Sequence, residues 1–315
     1  MPPAEPTLAT LSNPALRYFL ATRPPFLSVT FVAALIGLAT AYASGVAVSP
    51  VSGTMTIVFA LVAHAGINVL NDYYDARNGT DAINTERVFP FTGGSRFIQN
   101  GVLTMRETAG FGIALFALVI TAGLWLAYVS ASGLIWIGAA GLFVGWTYSA
   151  PPLKFNSRGL GEPCVWAGFA LIAVGADFVQ RGTLSTLPLI AVTGYALLVT
   201  NILFINQFPD RKADAAAGKH HWVVRLGVER ARWGYLFIAG AAYLWVLGAV
   251  CTGALPWPVL VALLPAVLSA SAARDLLRFA AVPQRLTPAI QQTIAAACLS
   301  GALLAAALVA WRWFA

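Results

Sequence analysis

Asn68, Asn71, Asp72 and Asp75 recur at i, i+3, i+4 and i+7 in the stretch His64-Ala65-Gly66-Ile67-Asn68-Val69-Leu70-Asn71-Asp72-Tyr73-Tyr74-Asp75, which closes a long apolar run. As a helix, this stretch sets four oxygen-bearing side chains on one face. A weaker echo, Asn206, Asp210 and Asp214 spaced four apart, closes a second apolar run. Carboxylates cost ~2.5 to 3.5 kcal/mol at the centre of a bilayer on insertion scales, so such clusters point to a cation or a wet cavity. Oxygen donors without His or Cys beside them suit a hard ion such as Mg²⁺, which keeps several waters and is completed by substrate phosphates. The candidate metal ligands are therefore Asp75, Asp210, Asp214 and Asn71, with Asp72 and Asp81 as further donors. The first three are also the candidate catalytic acids. Lys154, Arg158, Lys219 and Arg96 are candidates for the remaining phosphate oxygens. Asn68, Asn206 and Tyr148 are the candidate substrate contacts.

The rest of the chain must hold these groups in lipid. Hydrophobic residues fill 59% of its 315 positions and charged residues only 10%, and the mean hydropathy is +0.75. That composition excludes an ordinary soluble domain and predicts an all-α polytopic membrane bundle. With about 20 apolar residues per span, the pattern predicts about nine helices, over roughly 26–45, 54–74, 109–129, 134–148, 160–179, 187–208, 233–250, 258–273 and 288–311. Residues 1–25 read as a cytoplasmic N-terminal segment and 26–315 as a single transmembrane domain with cytoplasmic cap loops. The first apolar run is long for a signal peptide and is expected to be retained.

Loops after the even-numbered spans are basic. Placing them and the N-terminus in the cytoplasm puts every Lys and Arg there except Arg181 and Arg312, as the positive-inside rule requires. Both acidic clusters then sit at the cytoplasmic ends of the second and sixth spans, at the inner membrane. The net charge of +7 is thereby spent on membrane-flanking loops, so no nucleic-acid partner is expected, and no obligate protein partner. Cys164, Cys251 and Cys298 stand singly in apolar runs and imply no disulfide.

Two long loops, 76–108 and 209–232, follow directly on the acidic clusters, where lids and binding loops are often found. In the first, Gly93-Gly94 permits backbone geometries that bring amides close to an anion. In the second, Pro209 is expected to kink or stop the helix, setting Asp210 and Asp214 on a separate short turn. His64, one turn before Asn68, reads as a hydrogen-bonded bundle histidine, and His220 and His221 read as solvated loop residues. Asp177 is expected to pair with Arg181 at i+4. Tyr73, Tyr74, Tyr148 and Phe155 are placed to line an apolar chamber.

A diphosphate held at the rim of a greasy bundle suggests a lipid diphosphate. Loss of that group leaves an allylic carbon with cationic character, open to an electron-rich partner. Asn71-Asp72-Tyr73-Tyr74-Asp75 with Gly79-Thr80-Asp81, Asp210 and Asp214 with Gly218-Lys219, Val224-Arg225-Leu226-Gly227, and Tyr148-Ser149-Ala150-Pro151-Pro152-Leu153-Lys154 with Arg158-Gly159-Leu160-Gly161-Glu162 together resemble the UbiA superfamily of intramembrane aromatic prenyltransferases. Within it the likeness is nearest to the 1,4-dihydroxy-2-naphthoate polyprenyltransferases of menaquinone biosynthesis.

The resemblance implies a polyprenyl diphosphate donor, an aromatic acceptor and Mg²⁺. It places Asn71, Asp75, Asp210 and Asp214 at the Mg²⁺ and diphosphate positions, Asp81 as a trailing acid, and Lys154, Arg158 and Lys219 on the diphosphate. Other acceptors, 4-hydroxybenzoate, a tetrapyrrole or another lipid precursor, stay open. The competing class is an ion-coupled secondary transporter, which places such acids near the midplane on broken helices.

Overall fold

The computed structural model describes residues 4–314. They form twelve α-helices: α1 (Pro14–Ala21), α2 (Pro24–Ala43), α3 (Pro50–Asn78), α4 (Thr80–Ile83), α5 (Met105–Val129), α6 (Leu134–Ser149), α7 (Gly161–Arg181), α8 (Leu187–Ala216), α9 (Trp222–Leu226), α10 (Val228–Cys251), α11 (Ala266–Phe279) and α12 (Thr287–Phe314). Eight helical stretches are long and apolar enough to cross a membrane, one of them made of a 3₁₀ turn, Trp257–Leu263, running into α11. The 16-residue α6 is shorter, as its apolar run foretells, and completes the expected nine.

Local chemistry sets the helix ends. Ser49 caps α3 by accepting from the Ser52 amide, with Pro50 at the first helical position, and Gly79 ends the helix at φ 83°. Thr104 and Glu107 form a reciprocal capping box at the start of α5. Between the caps most helices are apolar around their whole circumference, which is what lipid on one side and protein on the other require. Phe237, Trp136 and Trp313 lie outward and exposed.

The most enclosed span is α8, with 78% of its apolar window buried, against 28–56% for other full spans of this bundle. It packs against α2, α7, α10 and α12, while α3 packs against α5, α2 and α7. Small residues allow this approach, because lipid offers no hydrophobic drive to bring helices together. A Cβ at Gly37 would stand 2.1 Å from the Ala173 carbonyl oxygen, and one at Gly301 2.4 Å from Val32. The buried Tyr195 on α8 donates from its hydroxyl to the Val29 carbonyl at 2.6 Å, so no polar atom of it is stranded.

Pro209 does not stop α8, and Asp210 and Asp214 are on the helix itself rather than on a separate turn. An interior proline costs ~3 kcal/mol in an isolated helix. Here Phe208 and Pro209 are buried, and Phe208 sits in an apolar cluster with Tyr235, Leu276 and Ile290, so tertiary packing outweighs the local preference. Asp177 is buried and paired with Arg181 at 2.7 Å, as its spacing requires.

The Gly37 contact gives a direct check. Gly37→Val should lower the apparent Tm in detergent by about 2–5 °C, since overpacking costs ~1–3 kcal/mol. Gly110→Ala, where an added Cβ meets nothing within 4 Å, should shift it by under about 2 °C.

Candidate active site

The C-terminal ends of α3 and α8 reach the same end of the bundle, each carrying its acids. Beyond α8, Gly218 turns the chain at φ 76° and returns Lys219 onto the cluster. The Lys219 Nζ lies 2.8 Å from Asp75 Oδ1 and 3.1 Å from Asp214 Oδ1, so one ammonium joins both motifs. The other Asp214 oxygen is 3.1 Å from His221 Nε2. His221 is therefore buried, 3% exposed, rather than solvated, because the turn that carries Lys219 inward carries it too. His220 is exposed, as expected.

The remaining residues of the first motif divide among different partners. Asn71 donates to Asp75 Oδ2 at 3.2 Å and to Ser149 Oγ at 2.9 Å. Asp72 is ion-paired with Arg23, which sits between α1 and α2 in the left-handed region at φ 56°, and it accepts from the Ser95 amide at 3.2 Å. Asn68 donates to the Thr22 carbonyl at 3.0 Å. One helical stripe thus meets α6, the α1–α2 junction and the loop after α4.

The loop after α4 lies across both helices. Asn84 donates to Asp210 Oδ1 at 2.6 Å, and the Gly93 amide to Asp210 Oδ2 at 3.4 Å. A Cβ at Gly94 would fall 2.3 Å from Asp81 Oδ2, so the paired glycines let backbone approach two carboxylates. Arg96 is buried, donates to the Asp81 carbonyl and faces Glu5 at 3.6 Å. Asn206 donates to the Phe91 carbonyl at 3.4 Å. Lys154 and Arg158 are exposed, and Arg158 donates to the Pro152 carbonyl at 2.8 Å rather than to an acid. Arg23, Asn84, Ser149 and His221 were not singled out as site residues from sequence, since their roles depend on contacts across the fold.

Burial and the Asp75 charge push the Asp81 carboxyl up to about 6, against the pull of Arg23, Lys219 and Arg96. Burial works against the Lys219 charge, but Asp75 and Asp214 outweigh it and hold this ammonium well above the ordinary lysine value. Among the described residues, no three of His, Cys, Asp and Glu are grouped closely enough to hold an ion by themselves. Asp81 Oδ2 and Asn206 Oδ1 are buried without a hydrogen-bond partner. Oxygen donors of this kind fit a water-rich Mg²⁺ that arrives with phosphate ligands better than a dedicated protein cage.

Beside the acids lies a cavity of about 580 Å³, walled by α2, α3, α5, α6 and α7 and overwhelmingly apolar. Asn68 and Tyr148 line it, and their neighbours Asn71 and Ser149 are bonded to each other, so the polar cluster adjoins one end of the chamber. Tyr73, Tyr74 and Phe155 are not among its lining residues. Tyr74 instead meets Tyr73 and Trp146 edge-on.

The fold is a helical membrane bundle that sets paired acidic helix ends beside a large apolar chamber. Residues 30–286 match the model of the UbiA prenyltransferase family, and the chain belongs to that family. It is 30% identical to 1,4-dihydroxy-2-naphthoate octaprenyltransferase of Escherichia coli, over 67% of this chain and 68% of that protein. It is 32% identical to the enzyme of the same name from Mycobacterium tuberculosis, over 70% of this chain and 72% of that protein. A UbiA homolog from Archaeoglobus fulgidus bound to DMAPP and Mg²⁺ shares the fold, with a TM-score of 0.63 at 16% identity, over 95% of this chain and 100% of that one. The protein is an integral membrane prenyltransferase.

Two outcomes follow from the charges. Lys219→Ala strands two buried carboxylates and should cost ~3–5 kcal/mol, read as a lower Tm in EDTA. Asp81 holds its proton more tightly folded than unfolded, so its contribution to stability falls as pH rises from 3.8 to about 6. Asp81→Asn should therefore raise the Tm in EDTA at pH 7.5 by a few degrees, with the difference vanishing near pH 4.

Proposed function

We propose that this prenyltransferase moves a polyprenyl group from an allylic diphosphate to 1,4-dihydroxy-2-naphthoate, with Mg²⁺ as cofactor. The observation that carries the reading is the meeting of Asp75 and Asp214 on Lys219 beside an apolar chamber. The names of the relatives support the acceptor, and the all-oxygen donor set supports the ion.

In this reading Asn71, Asp75, Asp210 and Asp214, with Asp72 and Asp81, hold the ion and the diphosphate head. When bound, Mg²⁺ neutralises the phosphate oxygens of the leaving group. Lys219 and Arg96 add positive charge at the head, with Lys154 and Arg158 nearer the solvent. Asn68, Asn206 and Tyr148 contact the substrates, and the chamber wall keeps water from the electron-poor allylic carbon. The acceptor ring carbon forms the new bond as the carbon–oxygen bond to diphosphate breaks, and the ring carboxyl leaves as CO₂. Residues 26–315 act as one transmembrane catalytic domain behind the N-terminal segment 1–25. The acids face the cytoplasm at the inner membrane, consistent with the basic residues of the flanking loops.

Purified protein supplied with a radiolabelled allylic diphosphate, Mg²⁺ and a panel of aromatic acceptors should prenylate the naphthoate and release CO₂. EDTA should abolish turnover and Mg²⁺ restore it. Asp75→Asn and Asp210→Asn should each lower kcat by roughly 10²–10³-fold. Product with 4-hydroxybenzoate alone would replace the acceptor, and full activity in either variant would remove that residue from the site.

A further inference from the structure

His64 lies on α3 at i, i+4, i+7 and i+11 with Asn68, Asn71 and Asp75, so one stripe runs from the acids along the chamber wall. It sits two turns from Asn71, roughly 10 Å along the axis, beyond hydrogen-bonding range of a head group held by the acids. The chamber is otherwise greasy: of its lining residues, Thr30, Thr56, His64, Asn68, Tyr148 and Cys164 are those with polar side-chain atoms.

The ring is held firmly. Its Nδ1 is 2.7 Å from Thr30 Oγ1, and its plane meets Phe169 edge-on at 5.9 Å. Both partners belong to other helices, α2 and α7, so the imidazole is oriented by the fold and not by its own backbone. With Nδ1 engaged, Nε2 retains one hydrogen bond to make, on a side chain that is only partly buried and lines the cavity. Which bond it makes follows from the tautomer. If Thr30 donates to Nδ1, Nε2 carries the hydrogen. If Nδ1 donates to Thr30, Nε2 accepts. A ring hydroxyl of an aromatic compound satisfies both, because it donates and accepts, whereas an isoprenoid tail satisfies neither.

We infer that His64 is the acceptor-recognising residue, with Nε2 hydrogen-bonded to a ring hydroxyl of the aromatic acceptor and Thr30 fixing the imidazole for that contact. This rests on the proposed prenyl transfer to a hydroxylated aromatic. It adds a specificity-determining group separate from the acids, and assigns the donor tail to the apolar remainder of the chamber.

Steady-state kinetics with geranyl diphosphate test it, comparing 1,4-dihydroxy-2-naphthoate with its two mono-methyl ethers in wild type, His64→Leu and His64→Gln. Wild type should discriminate at least tenfold against one ether. His64→Leu should raise the acceptor KM about tenfold or more, leave the donor KM within twofold and erase the discrimination, while His64→Gln, which keeps a polar terminus, should recover most of it. Equal wild-type turnover of both ethers and the free dihydroxy compound would overturn the inference without any variant. So would His64→Leu with unchanged acceptor KM, or with both KM values and Tm shifted together as a packing role predicts. No turnover of any aromatic acceptor by wild type would overturn both this inference and the reading on which it rests.

Discussion

The ammonium of Lys219 between Asp75 and Asp214 is the interaction on which the site depends. Two carboxylates drawn together beside an apolar chamber would repel one another and each lose hydration. A single buried cation offsets both penalties and fixes the distance between α3 and α8 at their ends. The same logic repeats three residues earlier in the first motif, where Arg23 balances Asp72. Two of the buried acceptors without a hydrogen-bond partner, Asp81 Oδ2 and Asn206 Oδ1, belong to the same cluster.

That arrangement needs a frame that does not yield. The frame is α8, the most enclosed span, gripped through close contacts at Gly194 and Gly301 and through the Tyr195 hydroxyl. Small residues let backbones approach where lipid gives no hydrophobic incentive, so dispersion contacts and satisfied polar groups carry the packing. A helix held in this way can keep Pro209 inside it and still present Asp210 and Asp214 on one face. The opposite end of the bundle is tied separately, by Asp177, Arg181 and Thr40.

The chamber beside the acids is walled by α2, α3, α5, α6 and α7. Asn68 and Tyr148 line it next to the acid cluster, the oriented His64 imidazole stands part way along, and most of the remaining lining is hydrocarbon. A prenyltransferase must hold a doubly charged head, an aromatic ring and a greasy tail at once.

Membrane residence, the helical class, nine spans counting the short α6, and the two acidic motifs were all legible in the chain, because each rests on local composition or on helical period. So was the Asp177 to Arg181 pair, four residues apart on one helix. What depended on distant partners was not. Pro209 was expected to kink or stop α8, and only the packing of Phe208 and its neighbours shows why the helix continues through it. His221 looked solvated until the Gly218 turn folded it onto Asp214. Nothing in the local sequence of Arg23 points to Asp72; the junction of α1 and α2 brings the two together. Sequence reports which groups a segment carries and which face they share, since those follow from backbone geometry over a few residues. Which charges meet, and which stay unpaired, is decided when helices far apart in the chain pack, because burial makes an unpartnered charge too costly to leave and selects its partner from whatever the fold brings near.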